Sequence, residues 1–176
     1  CTKDCYFCFN CNQPHYEHFR VHKRNISLEL DQAHAAGAKL RCLAVTGGEP
    51  LLQAEFIAEF FEKLHEHGVH TALDTSGVGN LAQAEKVLEH TDLVLCDLKF
   101  LSKAGYLKNC RADYGQIERF LQLTAMNGVP LWIRHVVVPG LTDSLDHLRR
   151  VKAKAESYPN FEKLEFLPFH KLCIEK

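Results

Sequence analysis

Five short apolar runs alternate with stretches of helical periodicity along this 176-residue chain, and that alternation restricts the fold more than any other feature. The runs cover residues 40–46, 69–75, 92–98, 131–138 and 163–168. Between them apolar residues recur at helical spacing: Ile57, Phe60, Phe61 and Leu64 within 51–67, and Ile117, Phe120, Leu121 and Thr124 within 114–127. Helices are also predicted over 81–90 and 145–158, and one over 27–39 with Ser27 as its N-cap. Runs that are apolar on both faces fit parallel strands covered by helices, so the expected class is α/β. A closed eight-unit barrel typically takes ~250 residues. The length therefore admits a partial barrel or an open doubly wound sheet. In either, chemistry gathers beyond the carboxyl ends of the strands.

The residues found there are polar. The first run ends in Thr46-Gly47-Gly48-Glu49-Pro50, the second in Asp74-Thr75-Ser76-Gly77 and the third in Asp97-Leu98-Lys99. The fourth run carries Arg134 and His135, and the last leads into Pro168-Phe169-His170. Singly, Asp74 and Asp97 are ordinary turn or cap residues and His170 an ordinary surface histidine. Strand packing does not ask for a polar group at every strand end, so their shared location points to a site.

Four of the eight cysteines, Cys1, Cys5, Cys8 and Cys11, fall in the first eleven residues. Cys42 and Cys96 sit within apolar runs and are expected to be buried as small hydrophobes. The leading C-x3-C-x2-C spacing of Cys1, Cys5 and Cys8 suits a soft metal, iron–sulfur or zinc. Three thiolates hold three irons of a 4Fe–4S cluster and leave the fourth open. With Cys11 added, four thiolates close a structural zinc site instead, so both readings stand at this point. Lys and Arg total 21 against 22 Asp and Glu, which argues against a nucleic-acid or membrane-surface protein. No stretch approaches the ~20 apolar residues of a membrane span and nothing resembles a signal peptide, so a cytoplasmic protein is expected. The chain starts at Cys1 and its one methionine is Met126, so a trimmed domain is expected.

Together Cys1-Thr2-Lys3-Asp4-Cys5-Tyr6-Phe7-Cys8, Gly47-Gly48-Glu49-Pro50 and Asp97-Leu98-Lys99 resemble the radical S-adenosylmethionine (SAM) enzymes. Residues 53–56, 70–77, 132–140 and 167–170 narrow the resemblance to the activating enzymes of glycyl-radical enzymes. It implies a single domain over 1–176, a partial (β/α)6 barrel of TIM type, with the first strand and the C-terminal end expected to be missing. It implies a 4Fe–4S cluster whose open iron chelates the SAM methionine. One-electron cleavage of SAM would then yield a 5′-deoxyadenosyl radical that takes a hydrogen from a glycine of the partner enzyme.

The roles implied by the resemblance fall residue by residue. Cys1, Cys5 and Cys8 are the cluster ligands, and Phe7 packs on the adenine. The pocket further includes Cys8, Phe9, Gly48, Asp97, Leu98, Lys99 and His170: the Gly48 backbone approaches the methionine amino group, Lys99 faces the SAM carboxylate and His170 reaches the adenosine end. Asp74, Thr75 and Asp97 match a monovalent-cation site, and Arg134 faces substrate or SAM. Two departures stand out, Phe9 where the family usually has His, and the additional Cys11. Only nineteen residues separate Cys8 from Leu28, too few for the cysteine-rich insert of many relatives. That favours pyruvate formate-lyase as the glycyl-radical partner over another glycyl-radical enzyme. An electron donor such as flavodoxin or ferredoxin and a monomeric state complete the expectation.

Overall fold

The computed structural model describes residues 40–169. Cys1, Cys5, Phe7, Cys8, Phe9, Cys11, the helix predicted over 27–39, and His170 lie outside the described residues. Five strands follow in chain order: β1 (Cys42–Val45), β2 (His70–Thr75), β3 (Leu93–Asp97), β4 (Leu131–Val137) and β5 (Phe161–Pro168). The helices are α1 (Ala54–Glu66), α2 (Leu81–Leu88), α3 (Lys103–Cys110), α4 (Tyr114–Met126) and α5 (Leu145–Glu156). Among the described residues, a 3-10 turn, Pro50–Gln53, leads into α1.

All four strand pairings are parallel, and the spatial order β1-β2-β3-β4-β5 is the chain order. A doubly wound sheet reverses direction at a switch point, where its ligand binds. No reversal occurs among the described strands. The winding is that of a barrel, and the sheet is a barrel segment.

Strand alternation divides the sheet into two faces. Leu73, Val94, Cys96, Leu131 and Ile133 point to the helices and are fully buried. They meet Ile57, Phe61 and Leu64 of α1, Val87 of α2, and Ile117, Phe120 and Leu121 of α4 in one core. Residues Asp74, Leu95, Asp97, Trp132 and Arg134 take the other face and are only half-buried. Cys42 is exposed, against the expectation from its apolar run, whereas Cys96 is buried as expected. The reason is parity: Cys42 is two residues from Ala44 and four from Thr46, whose hydroxyl reaches Asp74 on the half-buried face. Lys152 and Glu156 form a solvated pair 3.6 Å apart on α5.

Helix α3 was not evident in the sequence. It buries little beyond Tyr106 and Cys110, so its apolar stripe is too narrow to read. The signal present was Ser102, whose hydroxyl caps the Gly105 N–H at 3.1 Å. Elsewhere the loop after β2 lies directly on the 3-10 turn: a Cβ on Gly79 would stand 2.6 Å from the Leu51 Cβ. Only glycine permits that approach.

At the amino rim, Asp92 ties β2 to β3. Its carboxylate accepts from the Thr71 N–H at 2.8 Å and lies 3.0 Å from His65 Nε2. Partial burial opposes ionisation, but the Thr71 N–H and His65 outweigh it and hold the Asp92 pKa below the ordinary value of 3.8. A depressed carboxylate pKa means stability that is present above the unfolded value and lost as pH falls through the folded one. Asp92→Asn should therefore lower Tm at pH 7, and the gap to the parent chain should begin to narrow below about pH 4 and vanish only as pH falls through the lowered folded-state pKa. A gap that persists unchanged to pH 2.5 would show that charge at Asp92 contributes nothing. Among the described residues, no helix is long and apolar enough to cross a membrane.

Candidate active site at the carboxyl rim of the sheet

The carboxyl ends of β1 to β4 bring Thr46, Asp74, Asp97, Lys99 and Arg134 together. Register explains why. Asp74 pairs with Leu95, Asp97 lies two residues beyond Leu95, and Asp97 pairs with Arg134. All therefore project from one face. Asp74 and Arg134 stand two strands apart, roughly 10 Å across the sheet, a span that suits the long arginine side chain. Arg134 Nη1 donates to Asp74 Oδ2 at 2.9 Å, and Nη2 donates to Asp74 Oδ1. Nε and Nη2 also donate to Asp97 Oδ1, at 3.1 and 2.8 Å. The guanidinium fork thus grips both carboxylates, a geometry lysine cannot copy.

Burial would by itself make Arg134 easier to deprotonate, but Asp97 and Asp74 more than reverse this and raise its pKa above the ordinary arginine value. Thr46 donates to Asp74 Oδ2 at 3.1 Å. Lys99 Nζ stands 3.7 Å from Asp97 Oδ2, with its side chain 15% exposed. Among the described residues, these two carboxylates and two cations balance in charge and form a neutral quartet.

Thr75 does not join this group. It neighbours Asp74 in β2 and so faces the helices, where it is buried. Its hydroxyl donates to Glu49 Oε1 and accepts from the Gly77 N–H at 2.9 Å. Of the expected cation ligands, Asp74 and Asp97 come together around Arg134, and the Thr75 side chain points away. Among the described residues no group of three or more His, Cys, Asp and Glu is placed to hold a metal ion.

Glu49 is a structural residue that sequence reasoning passed over. It is 6% exposed, and its carboxylate collects four donors from two chain segments. Oε1 accepts from the Leu51 N–H at 3.2 Å and from Thr75 Oγ1. Oε2 accepts from the Ser76 N–H at 3.0 Å and from Ser76 Oγ. Glu49 is also the N-cap of the 3-10 turn, with Pro50 at its first position, where a missing N–H costs nothing. The available signal was a carboxylate set between a Gly-Gly turn and a proline at a strand end. Its effect is to bolt the loop after β1 to the end of β2.

Gly47 turns that loop with φ +135°, a conformation that favours glycine, and nothing lies within 4 Å of where its Cβ would be. Among the described residues nothing crowds that turn, and the neighbouring Thr46 bonds Asp74 of the quartet. Leu98 is fully buried, and its side chain packs in the core. Glu165 of β5 pairs with Arg134 in register but bonds Lys163 Nζ at 2.6 Å.

Comparison with known proteins agrees with this architecture. The family model described as the Radical SAM superfamily matches residues 1–151. A pyruvate formate-lyase-activating enzyme from Clostridium pasteurianum is 43% identical over 133 residues, 74% of this chain and 55% of the relative. One from Staphylococcus aureus is 39% identical over 140 residues, 76% of this chain and 56% of the relative. The chain thus spans just over half the length of these curated relatives. Among solved structures, a domain of a pyruvate-formate lyase-activating enzyme from Bacteroides vulgatus superposes with TM-score 0.66 at 25% identity, covering 73% of this chain and 81% of that one. Streptococcus suis SuiB bound to S-adenosylmethionine shares the fold, with TM-score 0.72 at 13% identity over 97% of this chain and 37% of that one. A parallel sheet wound in barrel order, a charged carboxyl rim and a family match over most of the sequence agree: the chain belongs to the radical SAM superfamily.

Proposed function

We propose that this chain is the radical SAM domain of an activating enzyme that generates a glycyl radical on pyruvate formate-lyase. The observation that carries the proposal is the neutral Asp74–Arg134–Asp97–Lys99 quartet at the carboxyl rim, beside the side-chain-free turn at Gly47. Identity to pyruvate formate-lyase-activating enzymes supports this choice of partner over other glycyl-radical enzymes.

The donor chemistry fits the implied cofactors. Cys1, Cys5 and Cys8 provide three soft thiolates for a 4Fe–4S cluster and leave one iron open. Cluster and SAM together supply the one-electron cleavage of SAM that starts the radical chemistry; the protein orients them and excludes water. Lys99 binds the SAM carboxylate as a point charge, and Asp97 keeps that ammonium in place. The Gly48 backbone would receive the methionine amino group, and Phe7, Phe9 and His170 are the pocket residues that the family resemblance implies. Arg134 organises Asp74 and Asp97 rather than reaching outward. Asp74, Thr75 and Asp97 would supply hard oxygen ligands to a monovalent cation, a role that Arg134 now fills for the two carboxylates. In the cell this enzyme works as a cytoplasmic monomer that takes electrons from a flavodoxin or ferredoxin.

Anaerobic reconstitution with iron and sulfide tests the proposal. The chain should take up a 4Fe–4S cluster and, with reductant, convert SAM to methionine and 5′-deoxyadenosine. With pyruvate formate-lyase present, a glycyl radical should appear in the electron paramagnetic resonance spectrum. Uptake of one zinc by the four leading cysteines, with no SAM binding, would overturn it.

Lys99→Ala should weaken SAM binding while the cluster still assembles. Losing a hydrogen bond to a charged group costs about 1.5–3 kcal/mol, roughly tenfold to over a hundredfold in affinity. Anaerobic calorimetry reads this directly, and unchanged affinity would remove Lys99 from the SAM site.

A further inference from the structure

The peptide unit joining Leu98 to Lys99 lies just past the end of β3. The Leu98 N–H still reaches the Arg134 carbonyl at 2.9 Å, and there the ladder to β4 gives out. Side chains take over both polar groups of the next peptide. The Leu98 carbonyl accepts from His135 Nδ1 at 2.6 Å. The Lys99 N–H donates to the Tyr106 hydroxyl oxygen at 2.8 Å. His135 and Tyr106 are both fully buried, on β4 and α3 respectively. One peptide plane is thus held at both ends by two side chains that have no room to move.

A carbonyl oxygen can only accept, so His135 carries its proton on Nδ1 and presents a lone pair at Nε2. That lone pair faces His147 Nε2 of α5 at 3.3 Å, which must then be the donor. The two rings lock each other into complementary tautomers, and the Phe166 ring of β5 meets His135 edge-on at 6.1 Å. Both histidines stay neutral. Burial lowers the His135 pKa and His147 adds to this, against the Leu98 carbonyl and Asp97. Burial also lowers that of His147, helped by Arg150 and opposed by Asp146.

We propose that His135, keyed to one tautomer by His147, acts with Tyr106 as a positioning residue that holds the Leu98–Lys99 peptide and so aims the Lys99 ammonium at the SAM carboxylate. This rests on the role of Lys99 given above. With its root fixed by this peptide and its ammonium beside Asp97, the Lys99 side chain has less freedom to lose when the ligand arrives.

Three measurements on the cluster-loaded chain test it. Imidazole 15N shifts without SAM should show His135 protonated at Nδ1 and His147 at Nε2. Hydrogen exchange at the Lys99 amide should be slow in the parent chain, fast in His135→Leu, and slow again in His135→Gln, whose amide can still donate to the Leu98 carbonyl. SAM affinity should fall roughly tenfold in His135→Leu and recover in His135→Gln. The opposite tautomer in either ring, or a His135→Leu variant that protects the Lys99 amide and binds SAM like the parent, would overturn the proposal. If His135→Leu does not fold, the parent tautomers and the His135→Gln affinity decide. A parent chain that binds no SAM would instead overturn the function proposed above, and the tautomers and amide exchange, measured without SAM, still decide the clamp.

Discussion

Alanine at Cys1, Cys5 or Cys8 should each abolish assembly of the 4Fe–4S cluster, while Cys11→Ala should leave it intact. A cluster iron without its thiolate has no soft ligand to replace it, and the C-x3-C-x2-C spacing supplies three ligands with none in reserve. The fourth iron must stay open if SAM is to chelate it, so a fourth cysteine has no place in the site. Iron and sulfide content after anaerobic reconstitution, together with visible absorption, gives the answer for each variant. Cluster loss in Cys11→Ala would sink the three-ligand assignment and revive the reading in which all four cysteines are ligands.

Removing Arg134 should produce the largest loss of stability at the site. Its guanidinium satisfies Asp74 and Asp97 at once, and all three side chains are about one-fifth to one-quarter exposed. Breaking a buried ion pair by deleting one partner costs about 3–5 kcal/mol because a charge is left uncompensated. The residual exposure places Arg134→Ala near the low end, about 3 kcal/mol. Lysine at this position should recover only part of the loss, since a point charge cannot fork to two carboxylates. Adding Asp74→Asn and Asp97→Asn to Arg134→Ala should recover most of it, because the stranded charges then disappear. Denaturant unfolding without ligand measures all of these, and a loss under 1 kcal/mol in Arg134→Ala would mean that solvent already compensates the carboxylates.

The carboxyl rim was legible as a location before it was legible as a structure. Strand ends rich in Thr46, Asp74, Asp97 and Lys99 announced that polar groups collect there. What each contributes depends on which face of its strand it occupies. Asp74 and Thr75 are adjacent in sequence and were grouped as ligands of one cation, yet pleating sends Asp74 to Arg134 and Thr75 to Glu49. Glu49 had been seen only as part of a motif. Its importance comes from donors on Thr75 and Ser76, 26 and 27 residues away, which no local pattern reveals.

Local chemistry in the sequence by itself determined the alternation of strands and helices, the burial of Ile57, Phe61, Leu64, Ile117 and Phe120, and the family to which the chain belongs. Periodicity and turn residues act over a few positions, so they can be read without knowing the neighbours. The tertiary structure alone decided between a barrel and a doubly wound sheet, because strand order is a property of the assembled sheet. It alone exposed Cys42, joined Arg134 to two carboxylates, and set His135 and Tyr106 on either side of one peptide. Each of these depends on register between strands or on packing between distant elements, and both are fixed only when apolar faces find their partners during folding.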